Sequence, residues 1–113
     1  MVHFHAAEQS CEWRQPSNFP VGILELDDPG PVQVIGFEPG DVLALLSDGI
    51  YEFANDQGGQ FGEDRVANVL KYHHQLPMAE LGAQLLKSVF EFAAGEKQAD
   101  DITMVLIRRL PEV

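Results

Sequence analysis

The chain has 113 residues, 45% of them hydrophobic, which is enough for about one compact domain. It contains 7 Lys and Arg and 18 Asp and Glu, which gives a formal net charge of -11. Because a chain this acidic repels polyanions, we expect no nucleic-acid partner. The apolar runs are far shorter than the roughly 20 residues that cross a bilayer, so we expect a soluble protein without a membrane partner. A single cysteine, Cys11, and the lack of a signal-like core after Met1 predict a cytoplasmic location.

The first 40 residues predict extended segments that are separated by turns. Val2 to Phe4 and Glu12 to Arg14 flank a polar turn, which is typical of a short hairpin. Two further apolar runs, Val21 to Leu26 and Val32 to Phe37, are bounded by Pro and Gly and predict two more strands.

The remainder of the chain predicts a strand, two helices and a last strand. Val42 to Leu46 is nearly all apolar, which predicts a strand buried on both faces at the centre of a sheet. Helical spacing of apolar residues predicts one helix from Asp64 to about His74 and a second, starting at Pro77, that Gly95 caps. Ile102 to Ile107 resembles another interior strand. Strands followed by helices and a strand indicate the α+β class.

The second predicted helix carries a wide apolar stripe. It is expected to pack in the core through Met78, Leu81, Leu85, Leu86, Val89, Phe90 and Phe92.

Two acidic motifs adjoin predicted strands. Asp48, in Ser47-Asp48-Gly49, follows the apolar run that ends at Leu46, and the pair Asp100-Asp101 precedes the last strand. Carboxylate oxygens at strand ends are typical ligands of hard divalent cations. Phosphate chemistry with Mg²⁺ or Mn²⁺ commonly uses several carboxylates around two ions, so these motifs predict only part of such a site.

Four short motifs occur in order along the chain. They are Phe37-Glu38-Pro39-Gly40-Asp41, Leu46-Ser47-Asp48-Gly49-Ile50-Tyr51-Glu52, Phe61-Gly62 and Asp100-Asp101-Ile102-Thr103-Met104-Val105. Each alone is weak, but the ordered set resembles the C-terminal half of the metal-dependent serine/threonine protein phosphatases of type 2C, in the bacterial branch typified by SpoIIE and RsbU. The resemblance implies part of a β-sandwich flanked by antiparallel helices, C-terminal portion only.

The resemblance also implies a chemistry. In that family two Mn²⁺ or Mg²⁺ ions activate a water that attacks a phosphoserine or phosphothreonine, and the bacterial branch acts on anti-anti-sigma-type signalling proteins. By position in the motifs, Asp48 and Asp100 match metal ligands. Asp101 matches a supporting position, and Gly49 and Glu52 are further supporting candidates.

The first half of the family's domain, with its own Asp-Gly metal ligand, has no counterpart here. We therefore expect residues 1–113 to be a single domain that is the C-terminal part of a SpoIIE-type phosphatase domain. Such a piece has an incomplete metal site and is expected to be weakly active or inactive. It would expose sheet surface and a strand edge, so pairing with a second copy is an expectation.

Simpler interpretations stay open at this point. Asp48-Gly49 and Asp100-Asp101 are also typical of ordinary turns, and the whole chain could be a catalytically inactive regulatory or dimerisation module. The histidines, His3, His5, His73 and His74, lack the i, i+4 spacing of a helical metal site and are expected to be surface or half-buried residues. Cys11 is not expected to be a nucleophile, since Arg14 is its one basic neighbour in sequence.

Overall fold

The computed structural model describes residues 1–15 and 34–112. Among these residues, four strands form one antiparallel sheet: β1 (Val2–His5), β2 (Ser10–Trp13), β3 (Val42–Leu46) and β4 (Met104–Arg108). Their order across the sheet is β2-β1-β3-β4. The helices α1 (Asp48–Tyr51), α2 (Gly62–His73) and α3 (Met78–Ala93) lie between β3 and β4 in the chain. The predicted α+β class is confirmed, and β3 is central in this sheet, as its apolar run predicts.

The N-terminal hairpin is present where the sequence predicts it. Val2 of β1 lies opposite Trp13 of β2, and His5 lies opposite Ser10. In the turn, Gln9 adopts a left-handed φ of 54°, and its side-chain amide donates a hydrogen bond of 2.8 Å to the Ala6 carbonyl. That bond closes the turn and stabilises a backbone conformation that non-glycine residues seldom adopt.

The two long helices match their predicted positions to within two residues, but the end of α3 differs. Ala94, not Gly95, is the left-handed C-cap, with φ 52°, and its N–H donates to the Phe90 carbonyl. Gly95 follows with φ 93°, so two successive residues turn the chain away from the helix. After β3, where Asp48-Gly49 is typical of an ordinary turn, the chain forms the short helix α1.

One face of the sheet is covered by α2 and α3. Side chains point alternately to the two faces of a strand, and those of Val2, Phe4, Val42 and Ala44 point towards the helices and are fully buried. They pack against the apolar stripes of the helices, whose fully buried members are Val66, Leu70, Leu81, Leu85 and Val89. Phe90 was expected in this core and is instead 48% exposed at its rim, edge-to-face with Phe53.

Arg108 joins the sheet to the connection between the helices. Its guanidinium donates from β4 to the carbonyls of His74, Gln75 and Leu76, at 3.3, 3.3 and 2.8 Å. Carbonyls at the cap of a helix and beyond it have no partner within the helix, so this cationic donor satisfies three of them and attaches the connection after α2 to the sheet.

The opposite face of the sheet, which we call the open face, is not covered to the same degree. Leu45 is 41% exposed, Val105 50% and Ile107 45%. The sequence predicted that β3 is buried on both faces and that β4 is an interior strand, and both predictions are wrong for the described residues. β4 is an edge strand of this sheet, and the side chains that β3 buries fully, Val42 and Ala44, are those that meet the helices.

Other predicted strands have different outcomes. Val21 to Leu26 lies outside the described residues, as do the first two residues of the run from Val32 to Phe37. Residues 34–37 do not form a strand. None of the described helices combines the length and apolar composition that a bilayer crossing requires.

Candidate functional site

The first acidic motif lies at the end of β3. Ser47 is the N-terminal cap residue of α1, with extended backbone, and Asp48 is the first residue of the helix. The Asp48 side chain is exposed, whereas Gly49 and Ile50 are buried. Glu52 is exposed at the C-terminal cap, and its N–H donates 2.9 Å to the Asp48 carbonyl. The turn therefore presents a carboxylate to solvent on a backbone held by α1.

The second acidic motif lies in the segment that leads from α3 into β4. Asp100 and Asp101 are both exposed. The Asp101 N–H donates 2.8 Å to Asp100 Oδ1, and Gln98 donates to the Asp100 carbonyl at 2.8 Å. These bonds hold the local backbone in place. The Asp101 N–H bonds only Oδ1 of Asp100, so it does not occupy Oδ2.

The two motifs are in direct contact. The Ser47 hydroxyl donates 3.2 Å to the Asp101 carbonyl and accepts 2.9 Å from the Thr103 N–H, and the Ser47 N–H donates 2.9 Å to the Thr103 carbonyl. Beside these bonds, a Cβ on Gly49 would overlap the Asp101 carbonyl oxygen. Glycine is therefore required for this close approach of two backbones, and the structure brings together segments that are far apart in sequence.

This arrangement fits a hard divalent cation in part. Asp48 and Asp100 provide exposed carboxylate oxygens on contacting segments, which is the ligand type that Mg²⁺ and Mn²⁺ prefer. No third His, Cys, Asp or Glu of the described residues completes a three-ligand group with them. Asp101 contributes its carbonyl to the Gly49 and Ser47 contacts, so a supporting role is what its backbone position favours.

Comparison with known proteins gives the same assignment as the motifs. The family model described as Stage II sporulation protein E (SpoIIE) matches residues 1–110. The chain belongs to the SpoIIE family. Among solved structures, the SiaA-PP2C domain of Pseudomonas aeruginosa is 29% identical, with a TM-score of 0.61. The match covers 68% of this chain and 31% of that chain, and none of the curated proteins matches.

The predicted family and fold are therefore confirmed: this SpoIIE-family chain has a type 2C-like phosphatase fold. The chain spans about a third of the length of the solved neighbour. The activity, substrate and partners of a whole phosphatase domain are therefore not established for this chain by the comparison. The assignment of individual site residues stays a prediction.

Sequence reasoning missed Tyr51 and Glu63. The Tyr51 hydroxyl is buried without a hydrogen-bond partner among the described residues, and its ring packs edge-to-face on Trp13. Burial raises the pKa of Tyr51 to about 12, assisted by the negative charges of Glu63 and Asp48. Glu63, in the first turn of α2, thus places a negative charge near enough to Tyr51 to act on its hydroxyl.

The histidines only partly match their prediction. His5, His73 and His74 are half-buried, as expected, but His3 is fully buried on the open face of the sheet. Its ring nitrogen Nε2 lies 2.9 Å from Asp41 Oδ2, a partner 38 residues away. Buried polar groups require such partners, and the hairpin and β3 bring this one into place.

Cys11 faces the helix-covered side of the sheet and is half-buried. Burial raises the pKa of its thiol, which disfavours the thiolate that a nucleophile needs.

Proposed function

We propose that this chain is the C-terminal part of a Mn²⁺- or Mg²⁺-dependent phosphoserine/phosphothreonine protein phosphatase domain, with Asp48 and Asp100 as metal ligands. The observation that carries the proposal is the direct contact between the Asp48-Gly49 turn and the Asp100-Asp101 segment. Family membership and the phosphatase-domain neighbour support a phosphatase-type function.

Each residue of the contact has a physical role in this proposal. Asp48 and Asp100 supply oxygen ligands. Ser47 and Gly49 position them, since the hydroxyl bonds both sides of the Asp101 segment and the glycine admits the Asp101 carbonyl. Asp101 acts through its backbone, and Glu52 adds negative charge at the C-terminal cap of α1.

The ions of a complete domain would lower the pKa of a bound water and neutralise charge on the phosphoryl oxygens. What this chain contributes is two exposed carboxylates on backbone segments that contact each other at the end of a sheet. Two carboxylates do not fix two ions, so we propose that residues 1–113 alone bind metal weakly and hydrolyse phosphoproteins slowly or not at all.

The substrate we propose is a phosphorylated signalling protein of the anti-anti-sigma type, in the cytoplasm, by analogy with the family's bacterial branch. The net charge of -11 repels a phosphorylated surface until cations bind at the site. Activity of a complete domain should therefore rise steeply with free Mn²⁺ or Mg²⁺.

The test is a calorimetric Mn²⁺ titration of the chain and of Asp48→Asn and Asp100→Asn, with hydrolysis of a phosphoserine peptide followed in parallel. Asp56→Asn is a matched control, because Asp56 is exposed in the loop after α1 and outside the contact. We expect the binding heat to vanish in the first two variants and to persist in the control. Binding that is unchanged in both ligand variants would refute the assignment.

A second candidate function is a non-catalytic dimerisation or regulatory module. The observation that favours it is the open face, where Leu45, Val105 and Ile107 expose apolar surface that a second copy could cover. Self-association of the chain, with no metal dependence, would favour this candidate over the enzyme.

A further inference from the structure

A second group of potential ligands lies on the open face, away from the Asp48 turn. His3, His5 and Glu12 each place one donor atom within 4.8 Å of the others. His3 pairs with Leu43, near the start of β3, whereas Asp48 follows the other end of that strand. This is the one point in the described part of the chain where three such side chains converge, and it does not depend on the phosphatase proposal.

The donor set has a distinct chemical character. Two imidazole nitrogens and one carboxylate oxygen are a common protein ligand set for Zn²⁺, whereas Mg²⁺ and Mn²⁺ prefer oxygen alone. His5 Nε2 lies 2.8 Å from Glu12 Oε2. Two ligand atoms on a tetrahedral zinc ion are about 3.3 Å apart, so an ion needs only a small separation of this pair. The pKa of Glu12 is held below its ordinary value, first of all by this hydrogen bond with His5.

Asp41 orients the buried histidine. Its carboxylate lies 2.9 Å from His3 Nε2 and also accepts the N–H groups of Ala6 and Glu38, at 2.9 and 3.1 Å. With Nε2 donating to Asp41, the other ring nitrogen, Nδ1, carries the free lone pair. A carboxylate behind a histidine ligand in this way fixes the ring and raises its basicity towards a metal.

Arg14 now lies where that lone pair points. Its Nη2 is 3.4 Å from His3 Nδ1 and 3.1 Å from Glu12 Oε2, so one cationic group bridges two of the three donors. The Nε atom of Arg14 is buried and has no hydrogen-bond partner among the described residues. Its present position therefore leaves one polar atom unsatisfied, and moving it out would free His3 Nδ1 and Glu12 Oε2 together.

We propose that His3, His5 and Glu12 form a site for a borderline divalent transition-metal ion such as Zn²⁺, with Asp41 as the positioning residue of His3 and Arg14 as a competing cation that the ion displaces. Three protein ligands leave one coordination position for water or another ligand. The site would link both strands of the N-terminal hairpin.

The experiment is a Zn²⁺ titration of the 113-residue chain against a chromophoric chelator, with Co²⁺ absorption as a report of coordination. We expect one bound ion. Glu12→Gln and His5→Ala each remove a proposed ligand and should weaken Zn²⁺ binding by at least about 10- to 100-fold. That is the range found when a residue that only supports a metal ligand is lost. Both side chains are partly exposed, so these variants should fold, and circular dichroism verifies this.

Two further variants make the test specific. Arg14→Gln should tighten Zn²⁺ binding by about tenfold or more, because it removes a positive charge next to the ion. The double variant His73→Asn and His74→Asn is the matched control and should bind as the wild type does. Zinc binding that is absent in both the wild type and Arg14→Gln, or that is lost only in the double variant, would overturn the proposal.

Discussion

The helix-covered face and the open face belong to the same four strands, yet among the described residues only the first has fully buried aliphatic side chains. Along β3, Val42 and Ala44 are fully buried under the helices, while their neighbour Leu45 is 41% exposed. Both faces of β3 and β4 carry aliphatic side chains. The difference teaches that the apolar content of a strand does not by itself tell how many of its faces are buried.

The largest expected effect is on the helix-covered face. Phe4→Ala should lower the free energy of unfolding by about 3–5 kcal/mol, because it removes a fully buried ring and leaves a cavity. Val105→Ala, the matched change on the open face, should cost much less, since that side chain is 50% exposed. Urea unfolding of both variants measures the contrast. Equal losses would mean that the open face is buried in solution.

Arg108 tests how the helical layer is attached to the sheet. Arg108→Met should lower the free energy of unfolding by about 1.5–3 kcal/mol, because it removes charged hydrogen bonds to the carbonyls after α2. Lys71→Met, an exposed change on α2, is the control and should stay within about 0.5 kcal/mol. Hydrogen exchange should become faster in the last turn of α2 for the first variant alone.

The open face should govern association more than stability. Val105→Lys combined with Ile107→Lys should change the free energy of unfolding by only about 0.5 kcal/mol per site, because both positions are half-exposed. The same pair of charges should weaken self-association measured by analytical ultracentrifugation. Association that persists unchanged would show that copies meet through another surface.

The smallest effect is a pH dependence at Asp41. Burial acts to raise the pKa of this carboxyl, but hydrogen bonds from the Ala6 N–H, the His3 ring and the Glu38 N–H together lower it below its ordinary value of 3.8. A lowered folded-state pKa stabilises the protein above the unfolded value, and this contribution is lost as the pH falls below it. The stability difference between wild type and Asp41→Asn should therefore shrink as the pH falls below about 4, which urea unfolding at a series of acidic pH values measures.

Local patterns were sufficient to predict the elements that pack on one another. The apolar stripes of α2 and α3, the hairpin of β1 and β2, and the central position of β3 follow from periodicity, and each agrees with the structure. Periodicity failed where the outcome depends on a distant partner. Val34 to Phe37 has strand-like residues but pairs with none of the strands in the described part of the chain. The continuous apolar run of β3 could not indicate which of its faces the helices would take.

The candidate site likewise has residues that the sequence motifs predicted and contacts that they could not predict. The motifs marked Asp48 and Asp100, and the structure brings their backbones together through Gly49, although the motifs alone could not predict the Ser47 hydrogen bonds that hold them. The pairing of His3 with Asp41 has no sequence signal, because it arises only when the hairpin pairs with β3.

The Ser47 contact has a topological consequence. β3 and β4 are neighbours in the sheet, and the whole helical layer leaves the sheet at Ser47 and returns at Thr103, where the two residues are hydrogen-bonded. The layer is thus a long loop tied at its base. An ion shared by Asp48 and Asp100 would act there as a removable cross-link, comparable to a disulfide across a long loop, so metal would raise the resistance of both helices to unfolding together.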